Sequence, residues 1–181
     1  EKNGERIAFD VCPVNIVLNK YAEKLGKDFD ENGNFAKSGT VDESLLQQLN
    51  SLKFYSENPP KSLGLEWVKE NIFPLLEASK ISSEDILRTF TEHIAIQLAN
   101  QFEKAASVLL TGGGAYNSFL IERLKDLASV EVIIPSPEIV EYKEALIFGL
   151  LGVLKLRGDV NCLASVTGAE KDHSSGKILF P

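Results

Sequence analysis

Three consecutive glycines, Gly112 to Gly114, restrict the fold of this chain more than any other stretch. They follow an apolar segment at residues 107–111 (SVLLT) and precede a helical pattern. A strand, a turn without side chains and a helix N-terminus in that order place unpaired N–H groups where a phosphate or a sugar edge can meet them. A tight turn packed against a neighbour is the structural alternative, but three glycines in succession favour ligand binding.

Apolar periodicity divides the rest of the chain into alternating strands and helices. Residues 6–10 (RIAFD) and 130–134 (VEVII) are typical of short strands, and the second is expected to be buried. The helical patterns cover residues 13–25, 40–52, 65–72, 83–104, 142–157 and the stretch from the glycines to residue 127. Strands that alternate with helices predict an α/β fold, with helices on both faces of the sheet.

Residues typical of helix ends support these boundaries. The predicted ends are Pro13 and Gly26 for the first helix, a capping box of Thr40 and Glu43 for the second, Pro74 as a bend or end after residue 72, and a Ser82–Asp85 cap for the helix at 83–104. The most apolar run, residues 145–154, is shorter than the roughly 20 residues of a bilayer span, so it predicts a buried helix and no membrane insertion.

Charge and cysteine content exclude several kinds of partner and site. The net charge is -7 and no basic patch stands out, so nucleic acid is not expected as a partner. The two cysteines, Cys12 and Cys162, lie far apart and in no CxxC pattern. They predict buried free thiols in a reducing, cytoplasmic compartment and argue against a zinc site or a disulfide.

Methionine is absent from all 181 residues, and the first residues run directly into the strand at 6–10. A trimmed N-terminus is the simpler explanation. The alternative that we favour is a C-terminal part of a larger protein, whose N-terminal partner domain precedes this sequence.

Three familiar site patterns are incomplete in this chain. Residues 28–34 (DFDENGN) imitate a calcium loop, but Gly39 stands where a bidentate glutamate belongs, so Asx turns are the better interpretation. The glycines do not complete a dinucleotide fingerprint, because Asn117 occupies the third glycine position. His93 and His173 have no serine or cysteine partner in a nucleophile pattern, so a hydrolase triad is not expected.

Four charged residues are candidates for chemistry. Asp10 ends a predicted strand, where it can hold Mg²⁺ through water or accept a proton, although an acid before a helix N-terminus is an equal alternative. Glu144 opens the apolar helix, where a half-buried carboxylate needs a partner such as a hydroxyl-rich ligand. A solvated first-turn acid is the alternative for Glu144. Lys61 and Glu66 flank a proline-rich loop at residues 55–64 and are candidates to line a cleft.

Six segments, taken in order, resemble one protein family. They are FDVCPVN (9–15), DFDENGNFAKSG (28–39), PPKSLGLEW (59–67), TGGGAYNSFLI (111–121), YKEALIFGLLGVL (142–154) and SVTGA (165–169). Together they resemble the C-terminal half of anhydro-N-acetylmuramic acid kinases, which belong to the actin-like, sugar-kinase ATPase superfamily. The resemblance implies an RNase H-like lobe over residues 1–181, with a mixed sheet flanked by helices and ATP in the cleft towards an N-terminal lobe.

The resemblance also implies roles for individual residues. The nucleotide-binding residues would be Gly112, Gly113, Gly114, Asn117 and Asn15, and the contacts to the amino sugar would be Glu144, Lys61 and Glu66. Asp10 would be the general base and would hold Mg²⁺ through water. The segment at 9–15 resembles a family pattern FDTGPGN but carries Val11, Cys12 and Val14 in place of its threonine and two glycines.

The activity implied by the resemblance is that of an ATP- and Mg²⁺-dependent kinase of cell-wall recycling. It would open 1,6-anhydro-N-acetylmuramic acid with water and phosphorylate the 6-oxygen. The first phosphate loop belongs to the N-terminal lobe and is not found in this sequence, so the chain alone is expected to be inactive. A degenerate actin-like module that binds nucleotide or a partner without kinase activity is the alternative, and the altered residues of segment 9–15 motivate it. An apolar face left by the missing lobe is expected to permit a homodimer.

Overall fold

The computed structural model describes residue 4 and residues 6–102 and 107–179, which form an α/β chain dominated by helices. The helices are α1 (Asn15–Lys24), α2 (Asn34–Ser38), α3 (Glu43–Asn50), α4 (Leu65–Trp67), α5 (Phe73–Ala78), α6 (Ser83–Ala99), α7 (Ser118–Leu127), α8 (Pro137–Arg157) and α9 (Ala164–Thr167). The strands are β1 (Ser107–Leu109) and β2 (Glu131–Ile133). Short 3₁₀ turns lie at Glu31–Gly33, Lys53–Ser56 and Gly113–Tyr116.

Helix α6 forms the centre of the core, because it packs against α1, α2, α3 and α7. Its apolar side chains recur at intervals of four, and Ile86, Phe90 and Ile94 are buried as this spacing predicted. The predicted cap is also confirmed, since the Asp85 N–H donates to Ser82 Oγ at 3.1 Å. The helix ends at residue 99 and not at 104, which falls outside the described residues.

The cap of α3 differs from the capping box expected at Thr40 and Glu43. Asp42 is the N-cap residue, and its Oδ1 accepts a hydrogen bond of 2.7 Å from the Leu45 N–H. The Thr40 N–H instead donates to Asp85 Oδ1 at 2.7 Å, which ties this turn to the start of α6. A tertiary contact therefore takes Thr40 away from the local cap that its sequence spacing suggested.

Two other helix ends follow the sequence more closely. Helix α1 begins at Asn15, two residues after Pro13, and Gly26 follows its end with a φ of +80°, as expected of a C-terminal glycine. Pro74 does not end the helical path, because it lies in the first turn of α5. The run from α4 to α5 stays helical because Val68–Ile72 widens into a π-helix just before the proline, which has no N–H to donate.

The sheet is smaller than expected. Strands β1 and β2 pair in parallel, with Val108 opposite Val132, and they are the two named strands of the described residues. The mixed sheet implied by the family resemblance is therefore not present in the part of the chain described. The strand expected to be buried at 130–134 is shorter, and residues 131 and 133 are exposed because no helix layer covers both faces of this pair.

Residues 6–10 do not form the predicted strand. The segment is extended but has no neighbouring strand among the described residues, and its backbone instead meets the proline-rich loop. The Asp10 N–H donates to the Lys61 carbonyl at 3.1 Å. An apolar pattern can predict an extended backbone, but a strand also needs a partner for its hydrogen bonds.

Helix α8 begins at Pro137 and is mostly exposed, which corrects the prediction of a buried helix from 142. Val140 is its one buried residue, whereas Leu146 and Phe148 are 66% and 71% exposed. Nothing in the described chain covers these side chains, although their hydrophobicity favours burial. Among the helices described, none combines the length and apolarity that crossing a membrane requires.

A partly buried ion network holds α7 against α6. Glu92 of α6 accepts from Arg88 at 2.7 Å and from Arg123 of α7 at 2.8 and 3.0 Å. Burial by itself would raise the pKa of Glu92, but the hydrogen bonds from both arginines lower it below its usual value. This ion network holds α7, the helix that follows the glycine turn, against α6.

Candidate functional site

The three glycines form a tight turn, and the α-helix starts only after it. Gly112 has a φ of +79°, a left-handed backbone that favours glycine, and a 3₁₀ turn follows at Gly113–Tyr116. The N-cap of α7 is Asn117, whose Oδ1 accepts from the Leu120 N–H at 3.0 Å. The N-terminus of α7, with its unpaired N–H groups, was expected directly after the glycines. One 3₁₀ turn separates the two in the structure.

A cleft of about 480 Å³ opens beside this turn. Its lining residues are Asn15, Leu18, Asn19, Phe29, Asp30, Glu31, Asn32, Gly113, Tyr116 and Asn117. The cleft thus brings together residues from α1, the acidic loop at 28–34 and the glycine turn. Of the five predicted nucleotide contacts, Asn15, Gly113 and Asn117 line it.

The remaining two glycines, Gly112 and Gly114, are not among the residues that line this cleft. A Cβ atom on Gly114 would lie 3.9 Å from Val14 Cγ1, so this glycine approaches the segment that leads into α1. A Cβ on Gly113 would lie 3.5 Å from Asn15 Nδ2. The glycine turn and the start of α1 are therefore packed closely together, which joins two of the segments that carry the family resemblance.

The cleft is lined mainly by uncharged side chains, with two acidic residues, Asp30 and Glu31, contributed by the loop. It has four asparagines and two aromatic rings, Phe29 and Tyr116, and no lysine or arginine is among its lining residues. Phe29 is 59% exposed, which is unusual for a phenylalanine. A flat, uncharged group with hydrogen-bonding edges suits this surface, whereas a phosphate group would find no cation there.

The acidic loop supplies part of this cleft and does not form a calcium loop. Asp30 is buried and its two carboxylate oxygens accept from the N–H groups of Phe35 and Ala36 at 2.8 and 2.9 Å. These bonds cap α2 and occupy the oxygens that a cation would need. Asn32 adopts a φ of 57°, a left-handed backbone conformation that asparagine tolerates.

Sequence reasoning did not assign seven of the lining residues to a nucleotide site: Leu18, Asn19, Phe29, Asp30, Glu31, Asn32 and Tyr116. The signal that could have found Phe29 is a large aromatic side chain inside a loop that is otherwise acidic and polar. The EF-hand pattern that the loop resembles is defined by carboxylates, so it gives no weight to the ring between them.

Gly33 links the acidic loop to the N-cap of α7, and alanine there is expected to destabilise the protein. Its φ is +74°, and an added Cβ would overlap Asn117 Oδ1 and lie 2.6 Å from Phe119 Cβ. Gly33→Ala should therefore cost about 2–4 kcal/mol in the free energy of unfolding, measured by chemical denaturation.

Gly26→Ala is the matched control for this prediction. Gly26 has a φ of +80° but nothing within 4 Å of an added Cβ. Its cost should be about 1 kcal/mol, from the left-handed backbone alone. Equal losses in the two variants would contradict the packing role assigned to Gly33.

Asp10 lies where segment 9–15 meets the proline-rich loop. Its Oδ2 accepts from the Leu63 N–H at 2.7 Å, and its side chain is exposed to solvent. Together with the bond from the Asp10 N–H to Lys61, this gives the carboxylate a fixed orientation while Oδ1 remains open to a ligand. An exposed, oriented carboxylate can accept a proton or bind a hydrated cation.

Lys61 lines a second groove of about 470 Å³ with Phe54, Trp67 and Asn71. Its Nζ donates to the Phe54 carbonyl at 2.8 Å and lies 4.5 Å from the centre of the Phe54 ring. The lysine is therefore partly engaged in holding the loop in place, and its charge remains near the groove.

The two predicted glutamates are less defined. Glu66 is exposed in α4, and Glu144 is exposed in α8 and not half-buried as expected. Neither lines the cleft or the second groove. The difference for Glu144 has the same origin as the exposure of α8, because the carboxylate is buried only if something covers that helix.

The two cysteines and the two histidines lie in different surroundings. Cys12 and Cys162 are free and half-buried, and burial raises the pKa of Cys12 to about 12. His93 is fully buried in α6 and His173 is exposed in the C-terminal tail. No group of three or more His, Cys, Asp or Glu side chains that could hold a metal ion occurs in the described residues.

Comparison with known proteins identifies the family. The family described as anhydro-N-acetylmuramic acid kinase matches residues 1–181. Proteins of that name from Francisella tularensis subsp. novicida and Coxiella burnetii are 34% and 35% identical over 96% of this chain. One from Mannheimia succiniciproducens is 30% identical over 100% of it.

The chain spans about half the length of these curated relatives, with 49% of the first two and 52% of the third covered. The match extends over both the glycine turn and the Asp10 segment, which the structure brings together at the start of α1. On the strength of a match over its whole length, the chain belongs to the anhydro-N-acetylmuramic acid kinase family.

Proposed function

We propose that the complete protein is an ATP-dependent kinase. It converts 1,6-anhydro-N-acetylmuramic acid to N-acetylmuramic acid 6-phosphate in cell-wall recycling. The observation that carries this proposal is the match of the whole chain to the anhydro-N-acetylmuramic acid kinase family. The cleft beside the glycine turn supports it, because its volume and its lining of asparagines and aromatic rings suit the adenosine end of ATP.

In this proposal the adenine base lies against Phe29, and the asparagine amides meet the base and ribose. Gly113 permits close approach of the backbone, and the triphosphate leaves the cleft towards segment 9–15, where Asp10 lies. The lining residues include no lysine or arginine and do include Asp30 and Glu31, so the triphosphate is expected to lie outside the cleft.

Replacing Phe29 by alanine in the complete protein should raise the Kd for ATP by roughly tenfold or more, because stacking of a base on an aromatic ring contributes about 1–3 kcal/mol. Isothermal titration calorimetry measures this change. Phe29→Tyr keeps the ring and should bind ATP within about twofold of the parent. Unchanged affinity in Phe29→Ala would show that the base lies elsewhere.

Asp10 is the proposed general base. It takes a proton from a water molecule as the water oxygen bonds to C1 of the sugar, and the bond from C1 to O6 breaks. O6 then attacks the γ-phosphorus of ATP, the bond to the β–γ bridging oxygen breaks, and ADP leaves. The hydrogen bond from Leu63 to Asp10 Oδ2 orients the carboxylate and leaves Oδ1 for the proton.

Mg²⁺ in phosphoryl-transfer sites is usually bound by one or two carboxylates together with substrate phosphates and water. Asp10 is a single oriented carboxylate, so it is the residue proposed to hold Mg²⁺. When bound, Mg²⁺ neutralises charge on the transferred phosphoryl group. Lys61 and Glu66 remain proposed contacts to the amino sugar, because both lie on or beside the loop that holds Asp10. Glu144 is proposed for the same role in the assembled protein.

Residues 1–181 are proposed to be the C-terminal, actin-like lobe of this kinase. The uncovered apolar side chains of α8 support this division, since a second lobe or a second copy of the protein would bury them. The N-terminal lobe would supply the first phosphate loop, so we propose that this chain alone lacks turnover. The proposed compartment is the cytoplasm, where ATP is available and thiols stay reduced.

The test is an assay of the complete protein with ATP, Mg²⁺ and 1,6-anhydro-N-acetylmuramic acid in ¹⁸O-labelled water. Phosphorus NMR should detect a sugar 6-phosphate, and mass spectrometry should find one ¹⁸O atom at C1. Phosphorylation of glucosamine derivatives instead would change the assigned acceptor. ATP hydrolysis without sugar phosphate would leave an ATPase, and absence of ATP binding would favour a non-catalytic module.

A further inference from the structure

His93 lies at the centre of a buried hydrogen-bond network that the proposed reaction does not use. Its Nδ1 is 2.6 Å from Asn50 Oδ1, and its Nε2 is 2.9 Å from the Tyr55 hydroxyl. The same Asn50 oxygen also accepts from Gln97 Nε2 at 2.9 Å. Because this oxygen accepts twice, His93 carries its proton on Nδ1, and the Tyr55 hydroxyl donates to Nε2.

The imidazole is held in this one form. His93 is 0% exposed, and burial lowers its pKa to about 3, so the ring is neutral near pH 7. A neutral ring with its proton fixed on Nδ1 offers one acceptor, and the Tyr55 hydroxyl fills it. This hydrogen bond to the buried imidazole therefore fixes the orientation of the Tyr55 side chain.

Tyr55 connects this network to the proline-rich loop. Tyr55 stands at the start of the loop and Trp67 just beyond its end, and their rings meet edge-on with centres 6.2 Å apart. The Phe54 ring lies 5.7 Å from Tyr55 and 5.2 Å from Trp67. Both ends of the loop therefore belong to one aromatic cluster. This cluster packs against His93, whose ring centre lies 4.8 Å from that of Tyr55.

The loop in turn holds the proposed base. The Lys61 Nζ donates a hydrogen bond of 2.8 Å to the Phe54 carbonyl, and the Lys61 carbonyl accepts one of 3.1 Å from the Asp10 N–H. Two residues further on, the Leu63 N–H donates to Asp10 Oδ2 at 2.7 Å. A continuous series of contacts thus runs from His93 through Tyr55 and the loop to the Asp10 carboxylate.

We propose that Tyr55 and His93 are positioning residues for Asp10, and that the hydrogen bond between them sets the orientation of its carboxylate through the proline-rich loop. This inference rests on the proposed function, because it assumes that Asp10 acts on the sugar. The nucleotide cleft shares none of its lining residues with this network. Loss of the hydrogen bond should therefore affect turnover and leave ATP binding unchanged.

The test is Tyr55→Phe in the complete protein, a change that removes the hydroxyl and keeps the ring. The expected result is a roughly tenfold lower kcat, since a small misplacement of a catalytic group is costly, with the KM for ATP within about twofold of the parent. Tyr21→Phe is the matched control. Tyr21 is also buried, but its hydroxyl has no hydrogen-bond partner in the described structure, so kcat should not change.

A second background tests whether the effect passes through Asp10. Leu63→Pro removes the N–H that donates to Asp10, so adding Tyr55→Phe to it should lower kcat by less than about twofold further. Equal, independent losses would overturn the proposed route, as would an unchanged kcat in Tyr55→Phe or a parallel change in the KM for ATP. An inactive parent protein would overturn the proposed function itself, and the positioning role with it.

Discussion

Replacing Asp10 by asparagine in the complete protein is expected to lower kcat for the anhydro-sugar by about 10²–10⁴-fold, the usual contribution of a general base. Asparagine has nearly the same shape, and its side-chain oxygen can still accept the bond from Leu63. The loop and the fold should therefore persist, while the group that takes the proton from water is lost.

Asp28→Asn is the matched control, since Asp28 is an exposed aspartate outside the lining of the nucleotide cleft. It should leave kcat within about twofold of the parent. Steady-state kinetics with both variants, together with ATP titrations, separates loss of the base from loss of nucleotide binding. If Asp10→Asn kept most of the parent kcat with ATP bound normally, another group would have to be the base.

The helical core could be predicted from the sequence because its signals are local. The spacing of Ile86, Phe90 and Ile94 defines the buried face of α6, and Ser82 and Gly26 mark helix ends through their own side chain or backbone. These features depend on neighbours within a few residues. The cap at Thr40 failed for the opposite reason, because its backbone bonds to a residue 45 positions away.

The strand at residues 6–10 and the burial of α8 were predicted wrongly, because both depend on distant partners. Residues 6–10 have the pattern of a strand but no strand beside them in the described chain, and they meet the proline-rich loop instead. Leu146 and Phe148 have the pattern of a core but remain exposed. An apolar pattern indicates which side chains of a segment favour burial, but it does not indicate which other segment will cover them.

The candidate site was predicted in part, and the division is again physical. Gly113 was predicted from the glycine turn, and Asn15 and Asn117 from the family resemblance; the structure brings the three together in one cleft. Phe29 was missed because the loop around it matches a calcium-loop pattern, which is defined by carboxylates and not by an aromatic side chain. The Tyr55–His93 bond joins residues 38 positions apart, so only the fold reveals it.

The buried His93 should make the stability of this chain fall as the solution is acidified. Burial lowers the pKa of His93 from 6.5 to about 3 in the folded state. Above pH 6.5, His93 is unprotonated in both the folded and the unfolded state. Below pH 6.5, the unfolded state binds a proton at this histidine that the folded state does not bind. The free energy of unfolding should therefore decrease by up to about 1.4 kcal/mol for each pH unit below 6.5, until the folded state is itself protonated near pH 3.

Chemical unfolding followed by the fluorescence of Trp67, the one tryptophan of the chain, measures this dependence directly. The range from pH 6.5 to about 5 isolates His93, because the lowered pKa of Glu92 makes that carboxylate lose its contribution only at lower pH. His93→Gln cannot take up the proton, so its stability should be nearly constant over this range. It should also be lower near pH 7 by about 1–2 kcal/mol, because Asn50 and Tyr55 lose their fitted partner.

His173→Gln makes the same substitution at an exposed histidine and should keep the slope of the parent chain. The comparison works because the fold gives the two histidines opposite surroundings, one inside α6 and one in the tail. A slope that persists in His93→Gln would mean that acid acts through the carboxylates alone. A slope that disappears in His93→Gln alone would establish that the core maintains His93 as a neutral acceptor, the state in which it can receive the bond from Tyr55.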